Sequence, residues 1–434
     1  MKKCIFYFDK FQFDKKTGEV SFFYHVEDAC PFVEKVVFPG SPFHMDEQTE
    51  KCVNQILLLA HIALGISYYK AYLPDEIVVE SGVLTESQAA FFDDFYLKGL
   101  GEFAIKNDVN LQGKIYFPFG QKDVVSYSLP LQLKALVPVG GGKDSCVVME
   151  LLKELQIPAT GVACGGSKSQ SACAAKSDLP YFTFSRTIDP TLIELNQSGT
   201  VYNGHIPITG VLAFLLWALA ILRHEKYVVM ACEKSANSGN MTQGTLTINH
   251  QWSKSFEFEQ MFYHLTREIT PDFRYFSLLR PISEAHIAKL FAEKCQAYFD
   301  VFTSCNKAFK LDLNKRIDRW CGNCDKCRFV FLILAPFMDK DILIHAVGKN
   351  PLADETQMEG YRELLGLSGH KPFECVGEVE ECRWAFNQLK QNPIWQNDLI
   401  VKTLNVPDAS APFEVSDEHL IPKELQNVMA RFRT

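Results

Sequence analysis

Near the amino terminus, apolar side chains come in short aromatic and β-branched runs: Ile5–Phe8, Phe11–Phe13, Val20–Tyr24 and Val36–Phe38. Asp14-Lys-Lys-Thr-Gly18 and Pro39-Gly40 punctuate them as turns, so the pattern predicts an antiparallel meander. Farther on, the period lengthens. Val53, Ile56, Leu57, Ala60, Ile62 and Ala63 recur at helical spacing within Glu50–Tyr69. Thr85-Glu-Ser-Gln88, ahead of the apolar Ala89–Leu97, reads as the capped start of a second helix. Together these elements predict an accessory α+β domain over residues 1–130.

From Leu133 the pattern changes to strands alternating with helices. Lys134–Val139 is strand-like and runs into Gly140-Gly-Gly-Lys-Asp-Ser145, after which Cys146–Leu155 has one apolar helical face. Ala159–Cys164, Tyr181–Ser185 and Tyr227–Cys232 are further strands, separated by helix-sized intervals. Such alternation predicts an α/β domain with a mostly parallel sheet, in which ligands sit beyond the carboxyl ends of the strands. Residues 131–300 are assigned to this domain, with helices expected over Ser255–Glu268 and Ser283–Ala297. Residues 301–434 follow as a Cys-rich carboxyl-terminal extension, largely acidic beyond Gly348. The apolar run Val211–Leu222 falls short of the roughly 20 residues that span a bilayer, so it is expected to be a buried helix, with no transmembrane insertion.

Composition narrows the class. Of 434 residues, 47% are hydrophobic and 22% charged, which excludes a disordered chain. The 44 Lys and Arg against 52 Asp and Glu leave a net charge of -8, without the basic field that duplex nucleic acid or an anionic membrane attracts; no stable nucleic-acid partner is expected. The first apolar run, Cys4–Phe8, stops at Asp9 and is too short for a signal peptide. The 14 cysteines are therefore expected to be reduced thiols in a cytoplasmic protein, and their spacing becomes informative.

Gly140–Ser145 lies between a predicted strand and a predicted helix. Adjacent glycines can turn tightly there and aim several N–H groups, together with the positive end of the helix, at a phosphate or pyrophosphate. Lys143 can neutralise phosphate charge, Asp144 can orient Mg2+ or a metal-bound water, and Ser145 can cap the helix and donate its hydroxyl. The spacing is neither that of a Walker A loop nor the Gly-x-Gly-x-x-Gly of a dinucleotide fold. A glycine turn that only starts a helix is the plain structural alternative.

Cys321-Gly-Asn-Cys324-Asp-Lys-Cys327 sets three thiols close together, and Cys305 precedes them in the chain. Knuckles of this kind converge thiolates on a tetrahedral Zn2+; four sulfurs would fill its coordination sphere, giving a structural clamp that leaves no place to activate water. An iron–sulfur cluster, or thiols without a metal, would use the same residues. Elsewhere, Glu233-Lys-Ser-Ala-Asn-Ser-Gly-Asn240 and Gly165-Gly-Ser167-Lys-Ser169 could supply a base and oriented donors to a ligand, or serve as ordinary polar loops. Asn203-Gly-His205 could contribute a proton-transfer group or orient the start of the apolar helix, and Asn249-His250-Gln-Trp-Ser-Lys-Ser255 could recognise a peptide carboxylate or uridine, or Trp252 could anchor a core edge.

Gly140–Ser145 resembles the Ser-Gly-Gly-x-Asp-Ser loop of the pyrophosphate-loop ATP-dependent enzymes, among them asparagine synthetase, NAD synthetase and the deazaguanine nitrile synthases; Gly140 stands where serine is usual. The last group is also similar in following its nucleotide domain with a zinc-binding cysteine cluster, across a longer gap than Cys305 to Cys321. Arg280-Pro-Ile-Ser283-Glu284 resembles a Pro-Leu then Ser-Lys segment of related enzymes, with Glu284 replacing the lysine. Most of the chain resembles the UDP-N-acetylmuramoyl-L-alanyl-L-glutamate epimerase family of peptidoglycan synthesis. The most specific segments are Val139–Ser145, Cys232–Asn240, Asn249–Phe256, Trp320–Phe331 and Lys371–Glu378.

That resemblance implies an isomerase that uses ATP and Mg2+ to invert the terminal L-glutamate of a UDP-linked muramoyl dipeptide, through an acyl-adenylate with release of AMP and pyrophosphate. On this basis Gly140, Gly141, Gly142, Lys143, Asp144, Ser145 and Ser167 are expected to bind nucleotide, Asp144 also Mg2+, and Cys305, Cys321, Cys324 and Cys327 a structural Zn2+. By its place after a strand, Glu233 is the leading proton-transfer residue, with His250 or His205 as the opposite-face or alternate group. An adenylating RNA- or base-modifying enzyme and a nonenzymatic nucleotide-binding module are the alternative readings.

Overall fold

The computed structural model describes residues 3–121, 123–243, 246–310, 315–369 and 372–433. Its strands are β1 (Ile5–Asp14), β2 (Glu19–Val26), β3 (Pro31–Val37), β4 (Glu76–Val79), β5 (Gln132–Pro138), β6 (Ala159–Cys164), β7 (Tyr181–Thr187), β8 (Glu225–Met230), β9 (Met241–Gln243), β10 (Leu246–Ile248) and β11 (Arg274–Ser277). A nine-stranded sheet runs in the order β11-β8-β5-β6-β7-β3-β2-β1-β4, and β9 pairs with β10. The sheet is mixed. β5 and β8 are parallel, as are β1 and β4, whereas β1–β2, β2–β3 and β3–β7 are antiparallel. The chain is thus an α/β fold with helical extensions.

The meander follows from alternation. Val20, Phe22, Tyr24 and Val26 of β2 turn inward at every second position, as strand geometry requires. β1 is one strand where the sequence suggests two runs, because the ladder absorbs Asp9 as a register shift between Phe8 and Lys10. Asp9 is satisfied by His25 Nδ1 at 2.6 Å. Gly18 takes φ +78 to close the β1–β2 turn, and a Cβ there would run into the Phe38 carbonyl.

Compactness divides the chain into two units. The first comprises residues 1–136, 182–228 and 243–275, and in it the Glu47–Tyr72 helix packs on the Ile208–Leu222 helix. Asp46 caps the former by accepting from Thr49 N at 2.7 Å. By length and composition Glu47–Tyr72 could cross a membrane, yet 89% of its most apolar window is buried inside the fold. Ile208–Leu222 is shorter and buried along almost its whole length, the expected core helix. A buried ion pair, Arg186 Nε to Glu34 at 2.6 Å, is completed by Arg186 donating to Ser67 Oγ at 3.1 Å.

The second unit comprises residues 137–181, 229–242 and 276–434. Its Lys143–Glu154 and Glu284–Lys294 helices pack together, and the Asp325–Leu334 helix packs on both Glu284–Lys294 and Val379–Gln391. In the last of these, Cys382, Ala385, Phe386 and Leu389 are buried at helical spacing, so the carboxyl-terminal extension is a packed part of this unit.

Candidate functional site

β5 ends at Pro138, and Gly140–Gly142 lead into the Lys143–Glu154 helix. Gly141 takes φ +79, and a Cβ there would stand 2.9 Å from Ser169 Oγ and 3.2 Å from Gln170 N, so this position requires glycine. A Cβ on Gly140 would meet nothing within 4 Å, which leaves that face of the loop open. Gly142 is the N-cap and brings no side-chain hydrogen bond to the first helical turn. An open glycine face beside such a helix start can receive an anion. Ser145 does not cap the helix, because the helix already begins at Lys143; its hydroxyl donates to the Gly142 carbonyl at 3.2 Å. Ser167 is occupied as the N-cap of the Lys168–Ser177 helix, accepting from Gln170 N at 3.3 Å and donating its own N–H to Gln170 Oε1 at 2.6 Å.

Lys143 is fully buried, and its ammonium is paired with both Asp144 and Glu284. Burial works against charge on this amine, but the two carboxylates outweigh it and hold Lys143 above the ordinary lysine value. For Glu284, burial dominates and raises the carboxyl; Lys143 opposes the shift, and Asp144 and Glu233 add to it.

Glu233 lies just beyond β8 and is buried. Arg280 donates to its carbonyl at 2.7 Å, and Lys234 N donates to the Ile282 carbonyl at 3.0 Å, lacing the Arg280–Glu284 segment to the Glu233–Asn240 loop. Asn240 Nδ2 donates to the Pro372 carbonyl at 3.0 Å. Glu381 accepts from Glu378 N at 2.9 Å and from Ala285 N at 3.3 Å; burial, reinforced by Glu284, pushes it up to about 7. Lys326, set between two of the clustered cysteines, donates to the Cys375 carbonyl and exerts its charge on Glu284. The separate motifs of the sequence therefore meet around one charged core of Asp144, Glu233, Glu284 and Glu381 with Lys143, Arg280 and Lys326. Glu381 carries no local signal, Lys326 is marked only by its place in the cysteine segment, and the cue for Glu284 is its place where related enzymes have lysine. Lys371 of the Lys371–Glu378 segment lies outside the described residues.

In the same unit, the Sγ atoms of Cys305, Cys321, Cys324 and Cys327 all lie within 4.8 Å of one another. Cys305–Cys324, Cys321–Cys327 and Cys324–Cys327 are separated by 3.9, 3.7 and 3.4 Å. Zn–S bonds of about 2.3 Å in a tetrahedron put sulfurs roughly 3.8 Å apart, so this donor set fits zinc. Cys321 N and Asn323 N donate to the sulfurs of Cys305 and Cys321, each at 3.4 Å.

His205 and His250 belong to the other compact unit, apart from the one that holds Glu233. They meet Glu102 of the Gly101–Lys106 helix, a residue that no sequence pattern singles out. His250 Nδ1 is hydrogen-bonded to Glu102 Oε2, His205 Nδ1 lies 3.4 Å from the same oxygen, and Lys106 pairs with Oε1. The two imidazole centroids are 4.5 Å apart. Burial works to raise Glu102, but His250, Lys106 and His205 hold it at about 2. Burial, then the neighbouring His250, pushes His205 down to about 4.

These features define an α/β protein in which an open glycine loop and a four-thiol cluster accompany one charged core. Residues 2–278 match the MurL N-terminal domain and residues 301–418 the MurL C-terminal domain. The chain belongs to the MurL family. It is 40% identical to a UDP-N-acetyl-alpha-D-muramoyl-L-alanyl-L-glutamate epimerase of Xanthomonas oryzae pv. oryzae, an alignment that covers 98% of this chain and 97% of that protein. Proteins of the same description from a Micromonospora species and from Salinispora tropica are 39% and 38% identical over 92% of this chain, covering 90% and 88% of their own lengths.

Proposed function

We propose that this protein epimerises the terminal L-glutamate of UDP-N-acetylmuramoyl-L-alanyl-L-glutamate in peptidoglycan precursor synthesis. Near-full-length identity of 38% to 40% with proteins of that description carries the reading. The finer proposal is that the reaction uses ATP and Mg2+, passes through an acyl-adenylate, and takes place in a protein clamped by a structural Zn2+.

A free carboxylate opposes loss of its α-proton, because further negative charge would build beside an existing anion. ATP supplies the activation by transferring AMP to that carboxylate with loss of pyrophosphate, which removes the charge. The part of this chain is to hold phosphates on the N–H groups of Gly140–Gly142 and the helix start, with Asp144 as the Mg2+ ligand and Lys143 fixing Asp144 in place. Glu233 is the leading acceptor of the α-proton, and His250 and His205 are the alternates. Four thiolates around Zn2+ leave no open position, so that ion would join the turn carrying Lys326 to the Cys305 segment and take no part in the chemistry.

Incubation with ATP, Mg2+ and the UDP-linked L-Ala-L-Glu substrate, followed by chiral analysis of the glutamate, tests the reading. D-glutamate with stoichiometric AMP and pyrophosphate is expected. Recovery of only L-glutamate refutes it, and ADP with phosphate would replace the adenylate by an acyl phosphate. Asp144→Asn should depress pyrophosphate release more than stability. Glu233→Gln should keep substrate-dependent pyrophosphate release and lose α-deuterium incorporation from D2O; near-normal exchange removes Glu233 as the base.

A further inference from the structure

We infer that two adjoining aromatic cavities of the second unit, set on its Glu284–Lys294 and Val379–Gln391 helices, hold the uridine diphosphate end of the substrate; this rests on the reaction proposed above. One cavity, of about 330 Å3, is lined by His286, Lys289, Phe413, Phe432 and Arg433 among others. Its neighbour, of about 250 Å3, is walled by Lys289, Phe337, Trp384, Gln388 and Phe413. Lys289 and Phe413 belong to both, so the two cavities adjoin, and together they fall within the roughly 300–1,000 Å3 usual for a ligand pocket. Every one of these residues lies in the unit that also carries the glycine loop and the charged core.

The walls are held from behind. Phe337 stacks on Trp384 with ring centroids 5.8 Å apart, and Phe413 meets Trp384 edge-on at 5.1 Å. Ser283 Oγ donates to the Pro412 carbonyl at 2.5 Å, and Ser416 N donates to the Pro281 carbonyl at 2.8 Å, which pins the segment carrying Phe413 at the start of the Glu284–Lys294 helix. The same two helices pack together and supply Glu284 and Glu381 to the charged core, where Ala285 N donates to Glu381 at 3.3 Å. Trp384 comes about one turn after Glu381, and Lys289 follows Glu284 by roughly 7.5 Å of helix rise. Core and cavities thus share one scaffold, and the muramoyl sugar and dipeptide give the substrate its reach from uridine to glutamate.

Polar groups in these walls wait for partners. His286 is 4% exposed and its Nδ1 has no hydrogen-bond partner, an unfavourable state for a buried ring nitrogen. Burial, then the neighbouring Lys289, pushes His286 down to about 4, so near neutrality it is an uncharged hydrogen-bonding ring. Lys289 and Gln388, both partly buried, make no hydrogen bond or ion pair among the described residues. Arg433, 3.7 Å from Asp417, adds a second cation to the larger cavity. A planar ring joined to an anion answers this set. Uracil can lie against the aromatic side chains while the Gln388 amide donates to a ring carbonyl and accepts from the ring N–H. The diphosphate then falls to Lys289 and Arg433.

Titration of the full-length protein with UDP, followed by calorimetry and tryptophan fluorescence, provides the test. Saturable binding is expected without ATP or Mg2+, accompanied by a change in Trp384 emission that Trp384→Phe removes. Lys289→Ala and Gln388→Leu replace partly exposed groups that hold nothing else in place, and each should weaken UDP about tenfold. In turnover of the UDP-linked substrate the loss should fall on KM and leave kcat much less affected, because the uridine end is remote from the reacting carbon. Lys289→Arg should recover part of the affinity, which a purely structural role would not require. UDP affinities within about twofold of the parent in both variants overturn the subsite. So does displacement of UDP by ATP in simple competition, or binding of inorganic pyrophosphate as tight as that of UDP, which would leave an anion site without a place for the base. A parent that binds UDP here yet forms no D-glutamate refutes the proposed reaction and keeps the subsite; a parent that epimerises while Lys289→Ala and Gln388→Leu leave KM unchanged refutes the subsite and keeps the reaction.

Discussion

Replacing Glu284 by Gln asks how firmly charge holds Lys143 in place. The substitution keeps the shape and removes one of the two carboxylates on a fully buried ammonium. Breaking a buried pair from one side costs about 3–5 kcal/mol, since the remaining charge stays desolvated. Asp144 still contacts Lys143, but its side chain is 24% exposed and its field is partly screened, so the expected loss is about 2–4 kcal/mol. For a compact unit of this size each kcal/mol moves Tm by roughly 2–4 °C, so a fall of about 5–15 °C is expected in thermal unfolding followed by circular dichroism.

Lys143→Met combined with Glu284→Gln removes both charges and should recover much of that loss, giving a coupling of at least about 2 kcal/mol in a double-mutant cycle from urea unfolding. The pH dependence has a definite sign. Lys143 is held above its unfolded value, so its contribution is complete below about pH 10.5 and is lost as pH rises through the higher folded value. The Lys143 part of the difference between parent and double variant should therefore be flat near neutrality and shrink only in strong alkali, whereas Glu284, whose carboxyl burial raises, subtracts stability from the parent as pH climbs from its unfolded value through its folded one. A Glu284→Gln protein within about 0.5 kcal/mol of the parent would refute the account.

Cys324→Ser should lower the zinc content measured by elemental analysis and lower Tm together, because metal binding is coupled to folding; an active, folded parent with neither zinc nor iron would dismiss the clamp. Gly141→Ala must place a side chain at φ +79 against Ser169 and Gln170, which should cost about 1–3 kcal/mol and reduce pyrophosphate release. Substrate turnover and unfolding measured on the same preparation would expose a neutral substitution. Glu381 keeps its proton to about pH 7 in the fold but releases it near 4.5 when unfolded, so its ionisation lowers stability as pH rises across that window. Glu381→Gln should flatten that decline by up to a few kcal/mol, and identical pH–stability slopes in parent and variant would exclude it.

Local pattern is enough for elements whose physics is local. The alternation in β2, the capping box at Thr85, the glycine turn before the Lys143–Glu154 helix and the convergence of four cysteines all follow from spacing that the sequence displays, since each is decided by neighbours along the chain. The 26-residue Glu47–Tyr72 helix was legible as a helix, whereas its burial in the fold required the Ile208–Leu222 helix to be seen against it. The charged core belongs to the other kind of fact. Glu284 and Lys143 are far apart in the chain, and Glu102 meets His250 and His205 across comparable distances, so no period or motif relates them. Their contacts exist because a buried charge must find a counter-charge wherever packing brings one. Only the folded chain decides which residue supplies it.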